Sequence, residues 1–126
     1  VALNGTANLV NYERFSDAIA TSFKGSRDEV PDEYRNRSAE FFSERFTMPI
    51  AATTGGADKI VPPDSVLRLL KAININNDRV LSIHRPDGGH STNHDDTVRA
   101  FEFVISKLKT SNKKSAGKST IEKQPE

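Results

Sequence analysis

The sequence predicts an α/β fold in which parallel strands are covered by helices, and three observations carry that prediction. Short apolar segments at residues 1–3, 48–54 and 79–84 read as strands, amphipathic segments with helical spacing follow the second and third of them, and the connections between these are short. Strand, helix, strand, helix in that rhythm is the pattern of βαβ units and a parallel sheet. The chain has 126 residues, of which 35% are hydrophobic and 28% charged, which suits one small domain or part of a larger one.

Residues 1–3 read as the end of a buried strand, and Asn4-Gly5-Thr6-Ala7-Asn8 as the loop after it. Because the chain opens directly in that apolar stretch, it is expected to be a segment of a longer protein. Within residues 12–23, Phe15, Ile19 and Phe23 fall at i, i+4 and i+8 along one helical stripe, and Gly25 closes the helix. Val30-Pro31 opens a second helical stretch, since proline suits a first turn, with Tyr34, Phe41, Phe42 and Phe46 as its apolar contacts. Residues 12–46 are therefore expected to form a helical, cap-like insertion with its aromatic residues turned inward.

Residues 48–54 (MPIAATT) run into Gly55-Gly56 and read as a buried strand ending in a tight turn. Pro62-Pro63-Asp64 starts a helix whose inner face is Val66, Leu67, Leu69, Leu70 and Ile73, ending in residues 74–78. Residues 79–84 (RVLSIH) form the next strand, and a glycine-bearing loop follows. The last helix is expected from about Asp95 through Leu108, with Val98, Phe101, Val104, Ile105 and Leu108 as its stripe and Thr92 or Asn93 as its cap. Residues 109–126 carry five lysines against two acids, a local charge of +3 that leaves −2 on residues 1–108. With one isolated isoleucine and no period, this Lys-rich tail is expected to be disordered.

Composition excludes several functions. The chain has no cysteine, which removes disulfides, thiol catalysis and thiolate metal sites, and leaves the compartment unreadable. Its formal net charge of +1 gives no motive for a nucleic-acid partner. No apolar run approaches the roughly 18 residues of a membrane span, so no membrane partner is implied. The glycine pairs lack the longer pattern and lysine of a phosphate loop, and no cofactor is implied.

In a parallel sheet, chemistry gathers where loops leave the carboxyl ends of the strands, here residues 4–8, 55–63 and 85–93. The second loop (GGADKIVPP) holds Asp58, and the third (RPDGGHST) holds His90. An acid and a histidine on adjacent strand ends can meet, the carboxylate fixing the imidazole tautomer and stabilising the imidazolium, which is the second half of a nucleophile–base–acid triad. The alternatives are a turn-forming aspartate and a loop or capping histidine. A metal cluster of His84, His90 and His94 with Asp95 and Asp96 is a third reading. Against it, the glycines before His90 and the cap after it break the helix that a four-residue histidine spacing needs, and acids in a first helical turn are favourable by themselves.

Gly55-Gly56-Ala57-Asp58-Lys59-Ile60-Val61-Pro62-Pro63, an amphipathic helix, residues 80–84 and then Gly88-Gly89-His90-Ser91 together resemble the carboxy-terminal part of an α/β-hydrolase. Within that superfamily the chain is most similar to the prolyl oligopeptidase and related esterase branch, and Tyr34-Arg35-Asn36-Arg37-Ser38 is similar to its Y-x-x-R-S stretch. The resemblance covers roughly residues 1–108. It implies a serine hydrolase in which Asp58 orients His90, and His90 acts as general base toward a serine and then as acid toward the leaving group. Family order places the serine ahead of Asp58 in a G-x-S-x-G elbow. No such elbow occurs: only Ser26 among the preceding serines follows a glycine, without the second one.

The nucleophile and main oxyanion donors are therefore expected upstream of Val1, from the rest of the same hydrolase domain, and this chain alone is expected to be inactive. Ser91-Thr92-Asn93 follows the histidine where many peptidases of the family have a small residue and an aromatic. That departure favours hydrolysis of a small carboxylic ester, with a peptide substrate as the alternative. A non-catalytic, hydrolase-like binding module is the reading outside enzymes.

Overall fold

Three parallel strands form the sheet in the order β1 (Ala2–Leu3), β2 (Ile50–Gly55) and β3 (Val80–Arg85). The computed structural model describes residues 1–76 and 79–116, apart from the side chains of 76 and 111–116. β2 is central and enclosed on both faces, with Ala51, Ala52, Thr53 and Thr54 all buried. That is why its sequence is a run of small and β-branched residues rather than an apolar–polar alternation.

Successive residues of a strand point to opposite faces, and the two cores follow from this. Ala52 packs with Val66, Leu69, Leu70 and Ile73 of α3 (Asp64–Asn76), while Ala51 packs with Ile83 and with Ala100 of α4 (His94–Ala116). The two helices thus cover opposite faces of the sheet. The first core is the larger, and each of its fully buried aliphatic side chains contributes roughly 1.5–3 kcal/mol.

Helix α3 sits where the sequence places it, behind Pro62-Pro63, and strands β2 and β3 differ from expectation only at their ends. Helix α4 differs in its contact face. Ala100, fully buried, meets the sheet with Phe103 and Val104 beside it, whereas Val98, Phe101, Ile105 and Leu108 are 38% to 49% exposed. The small residue marks the contact because it lets the helix approach Ala51 closely, and of the expected stripe only Val104 packs there, the other four residues staying on the outside. The helix also runs on to Ala116, past the boundary expected at Leu108. Residues 117–126 of the Lys-rich tail lie outside the described residues.

Between β1 and β2 the chain forms α1 (Ser16–Phe23), α2 (Pro31–Asn36) and a 3₁₀ segment, Ala39–Arg45. Proline opens α2 as expected. The stripe through Phe15 does not form: α1 starts only at Ser16, and Phe15 stands ahead of it in a left-handed conformation, 64% exposed. Nor do the other aromatics all turn inward. Tyr34 is buried, with its hydroxyl donating to the Gly25 carbonyl and Phe23 edge-on at 4.8 Å. Phe23, Phe41 and Phe42 instead carry the guanidinium groups of Arg37, Arg35 and Arg45 at 4.5–4.6 Å from the ring centroids. Arginine stems and cation–π attraction cover these rings at the surface in place of an apolar core.

Ser38, wholly buried, ties this region to the chain that follows β1 by accepting from the Leu9 amide and donating to the Tyr34 carbonyl. Glu40, paired with Arg68 of α3 and accepting from Asn8, does the same from the 3₁₀ segment. The Arg68 guanidinium holds the Glu40 carboxyl below the usual carboxylate range against the opposing effect of burial. Among the described residues no helix is long and apolar enough to cross a membrane.

Two surfaces of this fold are apolar and open. β1 is an edge strand, and Leu3, in register with Thr53, points to the α4 face of the sheet, where Leu3 and Val1 are 41% and 45% exposed. The outer stripe of α4 is the second. Open edges and large apolar faces drive association in water. The purified 126-residue chain is therefore expected to self-associate, giving sedimentation species larger than the 13.9 kDa monomer. A monomer with a cooperative melt would show that these surfaces are stable uncovered.

Candidate active site

The parallel register pairs Thr54 with His84 and Gly55 with Arg85, so the loops after β2 and β3 leave the same edge of the sheet side by side. Backbone bonds then join them. The Arg85 carbonyl accepts from the amides of both Gly56 and Gly88, at 2.9 Å each, and the Gly88 carbonyl accepts from Ala57 at 2.9 Å. The approach is so close that a Cβ at Gly55 would stand 2.3 Å from the Gly89 oxygen and 2.4 Å from that of Gly88. At Gly56 a Cβ would stand 2.4 Å from the Pro86 oxygen. Glycine is needed at both positions for space, since neither has a positive φ.

This approach brings Asp58 and His90 together, the two residues singled out in the sequence: His90 Nδ1 lies 2.9 Å from Asp58 Oδ2. The Asp58 side chain is wholly buried, and that of His90 is 42% exposed. The other carboxylate oxygen, Oδ1, accepts from the amides of Ile60 and Val61 at 2.9 Å each. Burial pushes the Asp58 carboxyl up, but the Val61 amide, the His90 ring and the Ile60 amide together outweigh it and hold the group below the usual carboxylate range. An ionised carboxylate only accepts, so the shared proton sits on His90 Nδ1, and Nε2 of the neutral ring is left as the basic atom. Asp58 is also the turn residue of the bland reading: one oxygen holds the turn while the other holds the imidazole.

The other titratable side chains of the sequence cluster are separated by the fold. His84 points onto the sheet, its Nδ1 2.9 Å from Thr54 Oγ1, and His94 is the first residue of α4. Asp96 is buried and takes a bidentate ion pair from Arg85, Nε to Oδ2 at 2.9 Å and Nη2 to Oδ1 at 2.7 Å. Arg85, more than any other neighbour, holds the Asp96 carboxyl below its usual range. Among the described residues no group of three or more His, Asp or Glu side chains could hold a metal ion. Asn93 proves to be the cap of α4, its Oδ1 accepting from the Asp96 amide at 2.8 Å.

Two supporting features were not legible from the sequence. The pair of Arg85 and Asp96 fastens the end of β3 to the start of α4, on either side of the His90 loop; Asp96 alone reads as an ordinary first-turn acid. Asn4, seen in the sequence only as a turn residue before Gly5, reaches the His90 loop from β1, with its Nδ2 donating to the Gly89 carbonyl at 3.0 Å. A cavity of about 100 Å³ lies among these groups, with Asn4, Thr53, Gly88, Ser91, Thr92 and Asp96 in its wall. Among the described residues no serine hydroxyl bonds to His90.

A parallel sheet covered on both faces, with an acid–imidazole pair at its carboxyl edge, is the arrangement of an α/β-hydrolase fold. The comparisons agree. The chain is similar to the crystal structure of puromycin hydrolase, an α/β-hydrolase of the prolyl oligopeptidase family, at 25% identity and a TM-score of 0.58 over 79% of its length. A serine-to-alanine mutant of puromycin hydrolase complexed with PGG superposes at a TM-score of 0.54 with 24% identity over the same share. The chain spans 16% of the length of either protein. No family model and no curated protein sequence matches the chain. The α/β fold and the α/β-hydrolase resemblance read from the sequence are therefore matched, over a small part of the length of those proteins.

Two consequences are measurable. Gly55→Ala is expected to cost about 1–3 kcal/mol of stability by forcing the two loops apart, read by chemical denaturation of the full-length protein; an unchanged midpoint would contradict the packing described. Asp58 and Asp96 both have lowered carboxyl pKa values when folded, so their contribution is fully present above about pH 4. It is lost as the pH falls through their folded values. Melting temperature should thus drop on acidification, and drop less steeply in Asp96→Asn; identical pH slopes would show that the Arg85 pair contributes nothing.

Proposed function

We propose that this chain supplies the acid and base of a serine hydrolase of the prolyl oligopeptidase type. The observation that carries the reading is the contact of a buried, ionised Asp58 with a half-exposed His90 at the carboxyl edge of a parallel sheet. In this reading His90 Nε2 takes the proton of a serine hydroxyl as the oxygen attacks a carbonyl carbon. Asp58 stabilises the imidazolium, and His90 then gives the proton to the leaving group. No metal or cofactor has a part in these steps.

The serine and its oxyanion donors come from sequence preceding Val1. A further strand from that sequence, pairing with the open edge of β1, would bring the elbow beside His90, and an accompanying helix would cover Val1, Leu3 and the outer stripe of α4. A peptide or amide substrate is favoured here over the small ester that the sequence around Ser91 suggests. The support for this is the likeness to puromycin hydrolase, a serine peptidase.

The test is labelling of the full-length protein by a fluorophosphonate probe. Labelling is expected in the wild type, abolished by His90→Ala and lowered by roughly 10³- to 10⁴-fold in Asp58→Asn. A peptidyl anilide should be cleaved faster than a short acyl nitrophenyl ester. A folded, unlabelled wild type would sink the serine-hydrolase reading and leave a hydrolase-like binding module. Preference for the ester would return the substrate to the esterase class.

A further inference from the structure

Asn4 is the residue of β1's end that binds the loop carrying His90. Its backbone is left-handed at φ 46°, a conformation asparagine adopts more readily than other residues with a side chain, and its amide donates to the Thr53 carbonyl at 3.1 Å. The residue is 8% exposed. Its carboxamide is used at both ends. Nδ2 donates to the carbonyl of Gly89, immediately before His90, and Oδ1 accepts from the hydroxyls of Thr53, at 3.0 Å, and of Thr92, two residues after His90. The Thr53 and Thr92 hydroxyl oxygens lie 2.6 Å apart, and since each hydroxyl has one proton, one of them can donate to the other in place of Oδ1, which closes the network from β2 to the loop.

The chemistry of these partners fixes which way the amide faces. A carbonyl only accepts, so it must meet the NH₂ group, while the oxygen is left to the two hydroxyls. Aspartate at this place could not donate to Gly89, and serine could not span both groups. The partners lie 85 and 88 residues away in the chain, so the bonds do not shape a local turn. They fasten the backbone on both sides of His90 to the first and second strands.

We infer that Asn4 is a positioning residue for His90, clamping the Gly89 carbonyl and the Thr92 hydroxyl so that the imidazole stays on Asp58 and is presented to the nucleophile. This rests on the serine-hydrolase reading above, and it assigns part of the base's placement to the first strand. Asp58 grips the ring, and Asn4 grips the backbone that bears it. Loss of the clamp should act on the chemical step, because a base displaced by a fraction of an ångström loses rate before the protein loses structure.

The experiment compares fluorophosphonate labelling in full-length wild type, Asn4→Gly and Thr92→Val, separating the maximal rate from the probe's half-saturating concentration. Asn4→Gly keeps the left-handed backbone available and removes all three side-chain bonds. Thr92→Val is nearly isosteric, removes one hydroxyl and serves if Asn4→Gly fails to fold. The maximal rate is expected to fall by about 10- to 100-fold in Asn4→Gly and less in Thr92→Val. Half-saturation should be unchanged in both, with melting curves that remain cooperative at the labelling temperature. Wild-type maximal rates in either folded variant, or a loss that follows the unfolded fraction, would overturn the inference while leaving the hydrolase reading intact. A folded wild type that does not label overturns both.

Discussion

The distance between the loops that follow β2 and β3 is the constraint on which the candidate site depends, and two missing side chains set it. Gly55 and Gly56 leave space for the carbonyls of Gly88, Gly89 and Pro86, which any Cβ would displace. The Arg85 carbonyl, shared by the Gly56 and Gly88 amides, then locks the two loops together. Parallel pairing brings the loops to one edge of the sheet, but only this contact brings an acid on one within hydrogen-bond reach of an imidazole on the other.

Burying a carboxylate is costly unless its charge is met, and Asp58 shows how the cost is offset. Two backbone amides and one imidazole surround its oxygens, and the balance leaves the group ionised despite burial. That ionisation matters chemically, because a neutral acid would not favour the imidazolium. Asp96 repeats the solution with a different partner: its pair with Arg85 closes the base of the His90 loop. The acid that holds the imidazole and the acid that holds the loop are thus separate residues, and the arginine is paired with the second of them.

Much of the fold could be read in the sequence because the signals were local. Gly55-Gly56 and Pro62-Pro63 mark turns by their own backbone limits, and the alternation of strand and helix needs no tertiary knowledge. The contact between Asp58 and His90 was legible because both lie on strand-end loops that the topology makes neighbours. Other features failed for physical reasons. The contact face of α4 departs from the expected stripe because bulk does not mark burial there: Ala100 meets the sheet with Val104 beside it, while Val98, Phe101, Ile105 and Leu108 stay outside. Phe15 falls outside its expected stripe because helical spacing presumes a helix, and the chain turns left-handed at that residue. Asn4 and the partnership of Arg85 with Asp96 are long-range bonds, and no local pattern announces them.

The central claim is that a buried carboxylate and an imidazole, 32 residues apart in the chain, share a proton at the sheet edge. Nitrogen-15 NMR of the full-length protein with labelled histidine tests it directly, with Asp58→Asn to assign the pair. A His90 ring with a proton on Nδ1, giving a downfield hydrogen-bonded resonance that Asp58→Asn removes, is the result expected. A His90 ring whose single proton is on Nε2, or one whose signals are unmoved by Asp58→Asn, would contradict the account.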